Sequence, residues 1–444
     1  MIIHNARILT LDDANRVVDS GAVEIRADGS IGWIKETAKL DKGLLQAASA
    51  VDAKGRLLMP ALINCHTHLY STLVRGMPMP GRAPRDFPEI LKKLWWRLDR
   101  ALRDDDVYYS ALVGLMDSAK CGVGMLVDHH SSPNACRGSL DHIEHAFRDV
   151  GLRGVLCYET SDRNGARKAR EGLAENVRFI EQVRRDPGDG QIAASFGLHA
   201  SFTLRDRTLR ACVEANQSLG AGFHVHVAED RCDVEHGRRR YSKSPVRRLR
   251  DLGVLDERAL AAHCVHVNAA DIAALARHRI NVVHNPQSNC NNAVGSAKLL
   301  EMMQRGVLVG LGSDGYTPRM WEEFKATFHV QKLRAGDPRV AYAEAYAAAL
   351  LNNRVIARKV WGFDVGRIQT SARADLALLD YYPPTPLRPD NLFGHVMFGI
   401  ANAPVDTLLV NGRVVLRDKQ LVNVDEGGVA EKAAACARAL WGRF

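Results

Sequence analysis

The sequence lacks the features that mark membrane and secreted proteins. None of its apolar runs reaches the length of a membrane span, and its N-terminus has no basic segment followed by an apolar core. It contains nine cysteines, an odd number, and none of them lies in a Cys-X-X-Cys spacing or another pairing pattern. We therefore expect no membrane partner, no disulfide framework and a cytoplasmic location.

The sequence also has little clustered charge of the kind that binds nucleic acid. Its formal net charge is +9, from 60 Lys and Arg against 51 Asp and Glu, but the basic residues are scattered. The densest run is RRRYSKSPVRRLR at 238–250, which we interpret as a solvated loop and helix face. With 46% hydrophobic and 25% charged residues, the chain has the composition of an ordinary globular protein. We expect no nucleic-acid partner.

Both ends of the chain are rich in strand-forming residues. Residues 1–56 alternate such residues with Asp-Gly and Gly turns, and residues 374–423 repeat the pattern. Asn411-Gly412 between two apolar runs is a strong hairpin signal. These patterns predict a small β-sandwich domain built from residues 1–56 and 365–425 together, followed by a C-terminal helix over residues 426–444.

The middle of the chain, residues 57–364, alternates apolar runs with amphipathic segments such as DHIEHAFRDVG and ENVRFIEQVRR. Eight apolar runs have the character of buried strands: LLMPALINCHTHL, GMLVDHH, RGVLCYET, IAASFGLHA, GFHVHVAED, LAAHCVHV, INVVHNP and VLVGLGSDG. Eight strands that alternate with helices are typical of a (β/α)8 TIM-like barrel. The predicted fold is therefore α/β, with this barrel as the catalytic domain.

Polar residues gather at the carboxyl ends of these eight runs. They are His66, His68, His129, Glu159, His199, His226, Glu229, His263, Asn285 and Asp314. Barrel enzymes place their chemistry on that rim. The pattern of polar residues and the predicted fold therefore agree.

Two His-X-His pairs can each place side chains on one side of an extended segment. The first is His66-Thr67-His68, at the end of an apolar run, and histidine suits zinc and iron. The second is His224-Val225-His226, of which only one need be a ligand. Glu229 follows His226 by three residues, where a carboxylate can approach a metal-bound water without being a ligand.

Two further residues complete the predicted cluster. His263 ends the run LAAHCVHV and is expected to face the pocket, whereas His266 is assigned a structural role in the following loop. Asp314 lies in LGSDG at the end of the last predicted strand. Alone, Ser-Asp-Gly would indicate a turn. Beside three histidines on one rim, Asp314 is predicted to be a metal ligand or a base that orients water.

These residues, in this order, resemble the amidohydrolase superfamily, and in particular its cytosine, guanine and triazine hydrolase branch. The motifs that carry the resemblance are HTH at 66–68, HVAE at 226–229, HCV at 263–265, HNPQSN at 284–289 and SDG at 313–315. The segments NCHTHLYSTLVRGM at 64–77, CYETSDRNG at 157–165 and HNPQSNCNNAVG at 284–295 also resemble the SsnA-type aminohydrolases. The resemblance covers essentially the whole chain and implies a homo-oligomer.

The resemblance also implies a ligand set and catalytic roles. One divalent ion, zinc or alternatively iron, would be held by His66, His68, His226 and Asp314. Asp314 would accept a proton from the activated water, and His263 would stabilise charge on the attacking oxygen. Glu229 would protonate the ring nitrogen next to the reacting carbon and then the departing ammonia.

A lysine is missing where binuclear members of this superfamily carry a carboxylated one. The third and fourth predicted strands end in CYET and GLHA, without lysine at either rim. This absence favours a single metal ion.

The remaining residues of the rim are candidates for substrate binding. His199, Asn285, Asn289, Glu159 and Arg163 are predicted to contact a polar heterocycle. For His129 and His130 a structural role is favoured. Trp95 and Trp96 lie in the amphipathic stretch LKKLWWRLDRAL and are predicted to be core or interface residues.

The predicted function is hydrolytic deamination of a nitrogen heterocycle of the purine, pterin, pyrimidine or triazine type. Hydrolytic dechlorination of a triazine-like ring and cyclic-amide hydrolysis are the alternatives among enzymes. Glu229 favours deamination, because ammonia needs a proton to leave and chloride does not. A metal-binding protein without catalysis is a further alternative, which the presence of Glu229 and His263 disfavours.

Overall fold

The computed structural model describes residues 1–444. The strands are β1 (Ile2–Leu9), β2 (Val17–Ile25), β3 (Ile31–Glu36), β4 (Ala50–Asp52), β5 (Leu57–Pro60), β6 (Leu62–Thr67), β7 (Val123–His130), β8 (Arg153–Tyr158), β9 (Ile192–Ala194), β10 (Phe196–Ala200), β11 (Phe223–Val227), β12 (Leu260–His263), β13 (Asn281–His284), β14 (Val309–Leu311), β15 (Leu376–Leu379), β16 (Val405–Val410), β17 (Arg413–Arg417) and β18 (Gln420–Leu421).

The helices lie between and after these strands. They are α1 (Lys42–Leu45), α2 (Phe87–Ile90), α3 (Trp96–Ala101), α4 (Asp104–Lys120), α5 (Ser139–Val150), α6 (Ala166–Arg185), α7 (Asp206–Asn216), α8 (Arg231–Tyr241), α9 (Pro245–Asp251), α10 (Ala269–Arg277), α11 (Pro286–Asn291), α12 (Leu299–Gln304), α13 (Met320–Ala335), α14 (Tyr342–Tyr346), α15 (Asn353–Trp361), α16 (Leu392–Phe398) and α17 (Glu426–Arg443). One π-helical turn, Leu91–Trp95, joins α2 to α3, and another, Ala347–Asn352, joins α14 to α15.

The strands from the two ends of the chain form one sheet of nine strands, in the order β18-β17-β16-β15-β5-β1-β2-β3 with β4 paired to β1. The two ends meet where β15 runs antiparallel to β5, with Leu376 opposite Pro60. Asn411 and Gly412 form the predicted hairpin between β16 and β17, and both have positive φ, 51° and 73°. A two-residue turn with two positive φ angles matches the twist of the strands it joins. The pairing of the two termini is therefore confirmed.

The middle of the chain supplies eight parallel strands, because β9 and β10 are two parts of one strand interrupted at Ser195. Backbone hydrogen bonds form two arcs, β6-β7-β8-β9 and β10-β11-β12-β13-β14. Single parallel bridges join the arcs at both seams, one between Thr67 and Asp314 and the other between Thr160 and Leu198. The predicted barrel is confirmed, and one seam brings the end of β14 directly beside β6.

Helices cover the outside of this barrel because each carries an apolar stripe. In α5 the buried residues Leu140, Ile143, Phe147 and Val150 recur at the spacing of one helical face. Apart from β9, the barrel strands are buried along their whole length, as expected for parallel strands covered by helices.

A buried ion pair links the barrel to the terminal sheet. Arg153, at the start of β8, donates two hydrogen bonds to Asp375, at 2.8 and 3.0 Å, and both side chains are buried. Asp375 also accepts a hydrogen bond from the backbone N of Asn411, at 2.7 Å. Such two-point recognition fixes geometry as well as charge. The amino ends of the barrel strands are thus tied to the sheet, which leaves their carboxyl ends open.

The basic segment 238–250 forms the end of α8 and most of α9. It is only partly solvated, contrary to expectation. The guanidinium of Arg248 is buried, lies 3.7 Å from the ring centre of Tyr241 and donates hydrogen bonds to Asp206 and to the carbonyl of Leu204. Arg248 is therefore a structural residue.

No helix combines the length and the apolar character needed to cross a membrane. All nine cysteines have free thiols.

Candidate active site

Four predicted ligands come together at the carboxyl ends of β6, β11 and β14. The Nε2 atom of His68 lies 3.2 Å from Oδ1 of Asp314 and 3.2 Å from Nε2 of His226. The Nε2 atom of His66 lies 3.9 Å from the same Asp314 oxygen. The seam described above causes this proximity, since the backbone N of Asp314 donates to the carbonyl of His66 at 2.9 Å.

The orientation of the histidine rings fits a cation. His68 Nδ1 donates to the carbonyl of His129 at 2.5 Å, and His226 Nδ1 donates to the carbonyl of His199 at 2.8 Å. When Nδ1 carries the proton of a neutral imidazole, Nε2 has a free lone pair. Two such lone pairs that face each other repel unless a cation lies between them. The residues present therefore fit a divalent metal ion.

His66 adds a third free nitrogen to this group. Its Nδ1 lies 2.9 Å from Nε2 of His224, while its Nε2 is buried without a hydrogen-bond partner. Burial and the neighbouring histidines hold the pKa of His66 well below its usual value, so the ring is neutral and able to bind metal. Burial opposes the charge of Asp314, but its interactions with His68, His263 and Ser288 outweigh burial and hold the pKa of Asp314 below its ordinary value.

Glu229 and His263 lie beside this cluster, and their pKa values are shifted in opposite directions. Nε2 of His263 lies 3.5 Å from Glu229 Oε2 and 3.8 Å from Asp314 Oδ2. Burial, reinforced by the negative charge of Asp314, raises the pKa of Glu229 well above its usual value. Burial lowers the pKa of His263 to about 4. The carboxyl group therefore keeps its proton to a higher pH than an ordinary glutamate does, and the imidazole of His263 is neutral at pH 7.

The backbone is strained where these residues leave their strands. Ala228, His263, Cys264 and Asp314 have φ angles of 48°, 73°, 50° and 55°, in the left-handed region that non-glycine residues rarely adopt. Such conformations persist where the surrounding structure enforces them, and they concentrate at functional sites. Here they occur at the carboxyl ends of three strands that carry site residues.

Asn285 and Asn289 lie behind His263 and do not line the cavity, although both were predicted to bind substrate. Their amide nitrogens lie 3.4 and 2.9 Å from Nδ1 of His263, and both residues are fully buried. Because an amide N–H donates, Nδ1 is the acceptor and the proton of His263 is on Nε2. These two residues thus direct the N–H of His263 toward Glu229 and Asp314.

A cavity of about 630 Å³, counting the space that opens to solvent, adjoins the predicted ligands. One part of its wall is polar, with His68, His226, Glu229 and Asp314. Another part comes from the segment between β6 and α4 and is largely apolar; it consists of Phe87, Leu91, Trp95 and Trp96. The two tryptophans were predicted to be core or interface residues, and the structure places both on the cavity wall.

The predicted residues Glu159, Arg163 and His199 also line the cavity. Arg163 donates to Glu159 Oε1 at 2.5 Å, and Nε2 of His199 lies 3.8 Å from the same oxygen. His129 lies behind them, fully buried, with Nδ1 at 3.2 Å from Glu159 Oε2. His130 contacts Ser132, at 2.8 Å between Nε2 and Oγ, and does not line the cavity.

Three contributors to the site were missed in the sequence. Ser288 donates to Asp314 Oδ2 at 2.6 Å, and its place within HNPQSN could have suggested it. Asp99 and Tyr70 line the cavity without any sequence signal that distinguishes them from core residues. His266 bonds the carbonyl of Val294 at 2.7 Å and lies away from the site, as expected of a structural residue.

A parallel barrel with histidine and aspartate ligands clustered at its carboxyl rim is the architecture of metal-dependent hydrolases of the barrel type. The sequence model described as "Amidohydrolase family" matches residues 57–415. The chain therefore belongs to the amidohydrolase family.

Similar proteins of known name extend over almost the whole chain. A 5-methylthioadenosine/S-adenosylhomocysteine deaminase of Desulforudis audaxviator is 32% identical, with 99% of each chain covered. An adenosine deaminase of Xanthomonas campestris, crystallised with zinc, has a TM-score of 0.85 at 22% identity, over 99% of this chain and 98% of its own. An atrazine chlorohydrolase of Arthrobacter aurescens TC1, also with zinc, has a TM-score of 0.81 at 19% identity, over 98% of this chain and 99% of its own. At such identities the two crystal structures establish the fold alone.

Proposed function

We propose that this protein catalyses the hydrolytic deamination of a nitrogen heterocycle, and that 6-aminopurines and their nucleosides are its substrate class. The observation that carries the proposal is the position of Glu229, a largely buried carboxyl group 3.5 Å from His263, whose raised pKa favours the protonated form. A proton donor at this point is what an amino leaving group requires. The deaminase relative, similar over the whole chain, supports the choice of aminopurines.

His66, His68, His226 and Asp314 would hold one divalent ion, for which zinc is the first candidate and iron the alternative. Such an ion would lower the pKa of a coordinated water to about 7 and so supply hydroxide at neutral pH. No lysine lines the cavity, so the wall offers no residue for carboxylation and a bridged second ion.

The side chains around the ion can carry out the proton transfers of the reaction. Asp314, held by Ser288 through Oδ2, accepts a proton from the attacking water. His263 donates a hydrogen bond from Nε2 to the attacking oxygen and stabilises its charge. The new C–O bond forms at the ring carbon that carries the amino group.

Glu229 completes the reaction. It gives its proton to the ring nitrogen next to the reacting carbon, takes up the remaining proton of the attacking oxygen as the carbonyl forms, and passes that proton to the amino group. The C–N bond breaks and ammonia leaves, and exchange with solvent then removes the proton from Asp314 and reprotonates Glu229. One water is consumed for each ammonia and each ring carbonyl formed.

Dechlorination of a triazine-like ring is the second candidate, since the protein shares its fold with an atrazine chlorohydrolase. Chloride leaves without a proton, so this reaction gives no role to the protonated Glu229 in the departure step. Cyclic-amide hydrolysis is supported by no observation at the site.

The test is a substrate panel with zinc-loaded and iron-loaded protein, with release of ammonia and of chloride measured in parallel. The panel contains adenosine, 5′-methylthioadenosine, adenine, guanine, a pterin and a chlorotriazine. Glu229→Gln should lower the rate of ammonia release by about 10²- to 10⁴-fold. Glu175→Gln is the control, because Glu175 is also a carboxyl group with little solvent exposure but bonds Arg178 and the backbone of Gly138 and Leu140, away from the cavity.

Release of chloride but not ammonia would favour the second candidate, and no turnover of any compound by metal-loaded protein would refute both. The expected homo-oligomer stays a prediction, which light scattering on the purified protein can check.

A further inference from the structure

Asp99, in α3, is a charged residue of the cavity wall to which the proposed reaction gives no role. Its side chain is buried, with 1% of its surface exposed. One oxygen, Oδ2, is held by the guanidinium of Arg163, whereas Oδ1 has no hydrogen-bond partner in the protein. A buried acceptor without a donor costs free energy, so its presence beside a cavity needs an explanation.

The charges around Asp99 also indicate that this carboxylate lacks a partner. Arg163 is shared between two carboxylates, Asp99 and Glu159, and also donates to Ser131 at 2.8 Å. One guanidinium therefore faces two acids. Burial outweighs the attraction of Arg163 and, together with the charge of Glu159, raises the pKa of Asp99 to about 7. Within the protein, Oδ1 of Asp99 is left without a donor.

The neighbouring wall is suited to a planar ring. Trp95, Trp96 and Leu91 line the same cavity, and the guanidinium of Arg163 lies 5.9 Å from the Trp96 ring centre. Aromatic side chains bind heterocycles through offset stacking, which orients the ring but does not select its polar substituents. Selection among planar rings must then come from the polar atoms at the edge of this surface.

We propose that Asp99 is a specificity-determining residue, which accepts a hydrogen bond from an N–H or O–H group of the substrate away from the reacting carbon. The substrates are then aminated heterocycles that carry such a donor, either a ring N–H or a hydroxyl of an attached sugar. This inference rests on the proposed function and adds the identity of the recognising group. A purely structural Asp99 would hold Arg163 and would not distinguish between substrates.

Two matched pairs of substrates separate the sources of the donor. Adenine and 9-methyladenine differ in a ring N–H, and adenosine and 2′,3′-dideoxyadenosine differ in the sugar hydroxyls. Zinc-loaded wild-type protein should prefer the donor-bearing member of at least one pair by about 10- to 100-fold in kcat/KM, mainly through KM. In Asp99→Asn this preference should fall to about threefold or less. The side-chain oxygen of the asparagine would stay on Arg163, so its NH2 group would face the N–H or O–H of the substrate and could not accept a hydrogen bond from it.

Asp106→Asn is the control, because Asp106 is a buried carboxylate that also pairs with an arginine, Arg443, but does not line this cavity. It should keep the wild-type preference. Asp99→Glu retains the carboxylate and should restore part of the preference, and it serves as the second variant if Asp99→Asn does not fold.

The possible results separate this inference from the proposed function. Equal kcat/KM for both members of both pairs in the wild type, or an unchanged preference in Asp99→Asn, would overturn the role of Asp99 and leave deamination intact. If no compound is deaminated, the proposed function fails. Calorimetric titration then measures the Kd of each compound in the same pairs and tests whether Asp99 recognises the donor. Equal Kd values within each pair then overturn its role, and a difference that Asp99→Asn abolishes supports it.

Discussion

The Nε2 atoms of His68 and His226 lie 3.2 Å apart, and each ring has its Nδ1 bonded to a backbone carbonyl. Both nitrogens can therefore act as acceptors toward a cation between them. In the metal-free protein a proton on His68 can take this place: burial lowers the pKa of that ring, but Asp314 outweighs burial and raises it to about 9. The backbone carbonyls thus hold the two rings in the orientation that a metal ion would need.

The first prediction concerns metal binding and stability. Removal of metal by a chelator should abolish activity and lower the Tm, because an ion that binds only the folded state stabilises it by mass action. His226→Ala should bind less than one metal equivalent, measured by elemental analysis. His142→Ala, in which an exposed histidine of α5 is replaced, should retain the wild-type content. An unchanged metal content in His226→Ala would contradict the ligand assignment.

The clustering of the proposed ligands was predictable because parallel strands end on one rim. His66, His226 and Asp314 each end an apolar run, so the pattern of runs alone brings them together. No comparable rule fixes where the residues in the connections between strands lie. Asp99 lies in an amphipathic stretch, and nothing in that pattern indicates which side meets a cavity.

The predictions for Asn289 and Arg248 differ from the structure for the same reason, because both residues lie in connections between strands. Asn289 belongs to α11, and its motif does not reveal that this helix turns its amide toward the back of His263. Arg248 lies in a run of basic residues typical of a solvated face, but tertiary contacts with Tyr241 and Asp206 bury it. The limits of the two domains stay a prediction.

A second prediction tests the ion pair between the barrel and the terminal sheet. Asp375→Asn leaves the guanidinium of Arg153 buried without its countercharge, so the free energy of unfolding should fall by about 3–5 kcal/mol. Asp337→Asn removes the partner of the exposed Arg339, and the free energy of unfolding should change much less, because solvent screens this pair. Urea denaturation measures both, and equal effects would show that burial of the first pair has no energetic consequence.

A third prediction concerns pH and Glu323, a buried residue of α13. Burial raises the pKa of its carboxyl group to about 8 from 4.5. The folded state keeps this proton while the unfolded state releases it, so this residue makes stability fall as pH rises from about 4.5 to about 8. Glu323→Gln should flatten the decline of Tm over that interval. Glu322→Gln, at the exposed neighbour, should leave the profile unchanged, and a parallel decline in both variants would refute the assignment.

The last prediction tests the direction of the proton on His263. Asn289 donates to Nδ1 of this ring at 2.9 Å, which places the imidazole proton on Nε2, toward Glu229. Asn289→Asp replaces that donor by an acceptor, so the proton moves to Nδ1 and Nε2 can no longer donate to the attacking oxygen. The kcat should fall by about 10²- to 10³-fold, as on loss of a donor that stabilises charge in the transition state.

Asn289→Ala distinguishes this effect from simple loss of packing. It removes the donor without imposing the wrong tautomer, and Asn285 remains 3.4 Å from the same nitrogen. Its kcat should therefore fall by only about tenfold, and both variants should keep a full metal equivalent. If the alanine variant loses as much activity as the aspartate variant, Asn289 acts through packing, and the proton of His263 is not under its control.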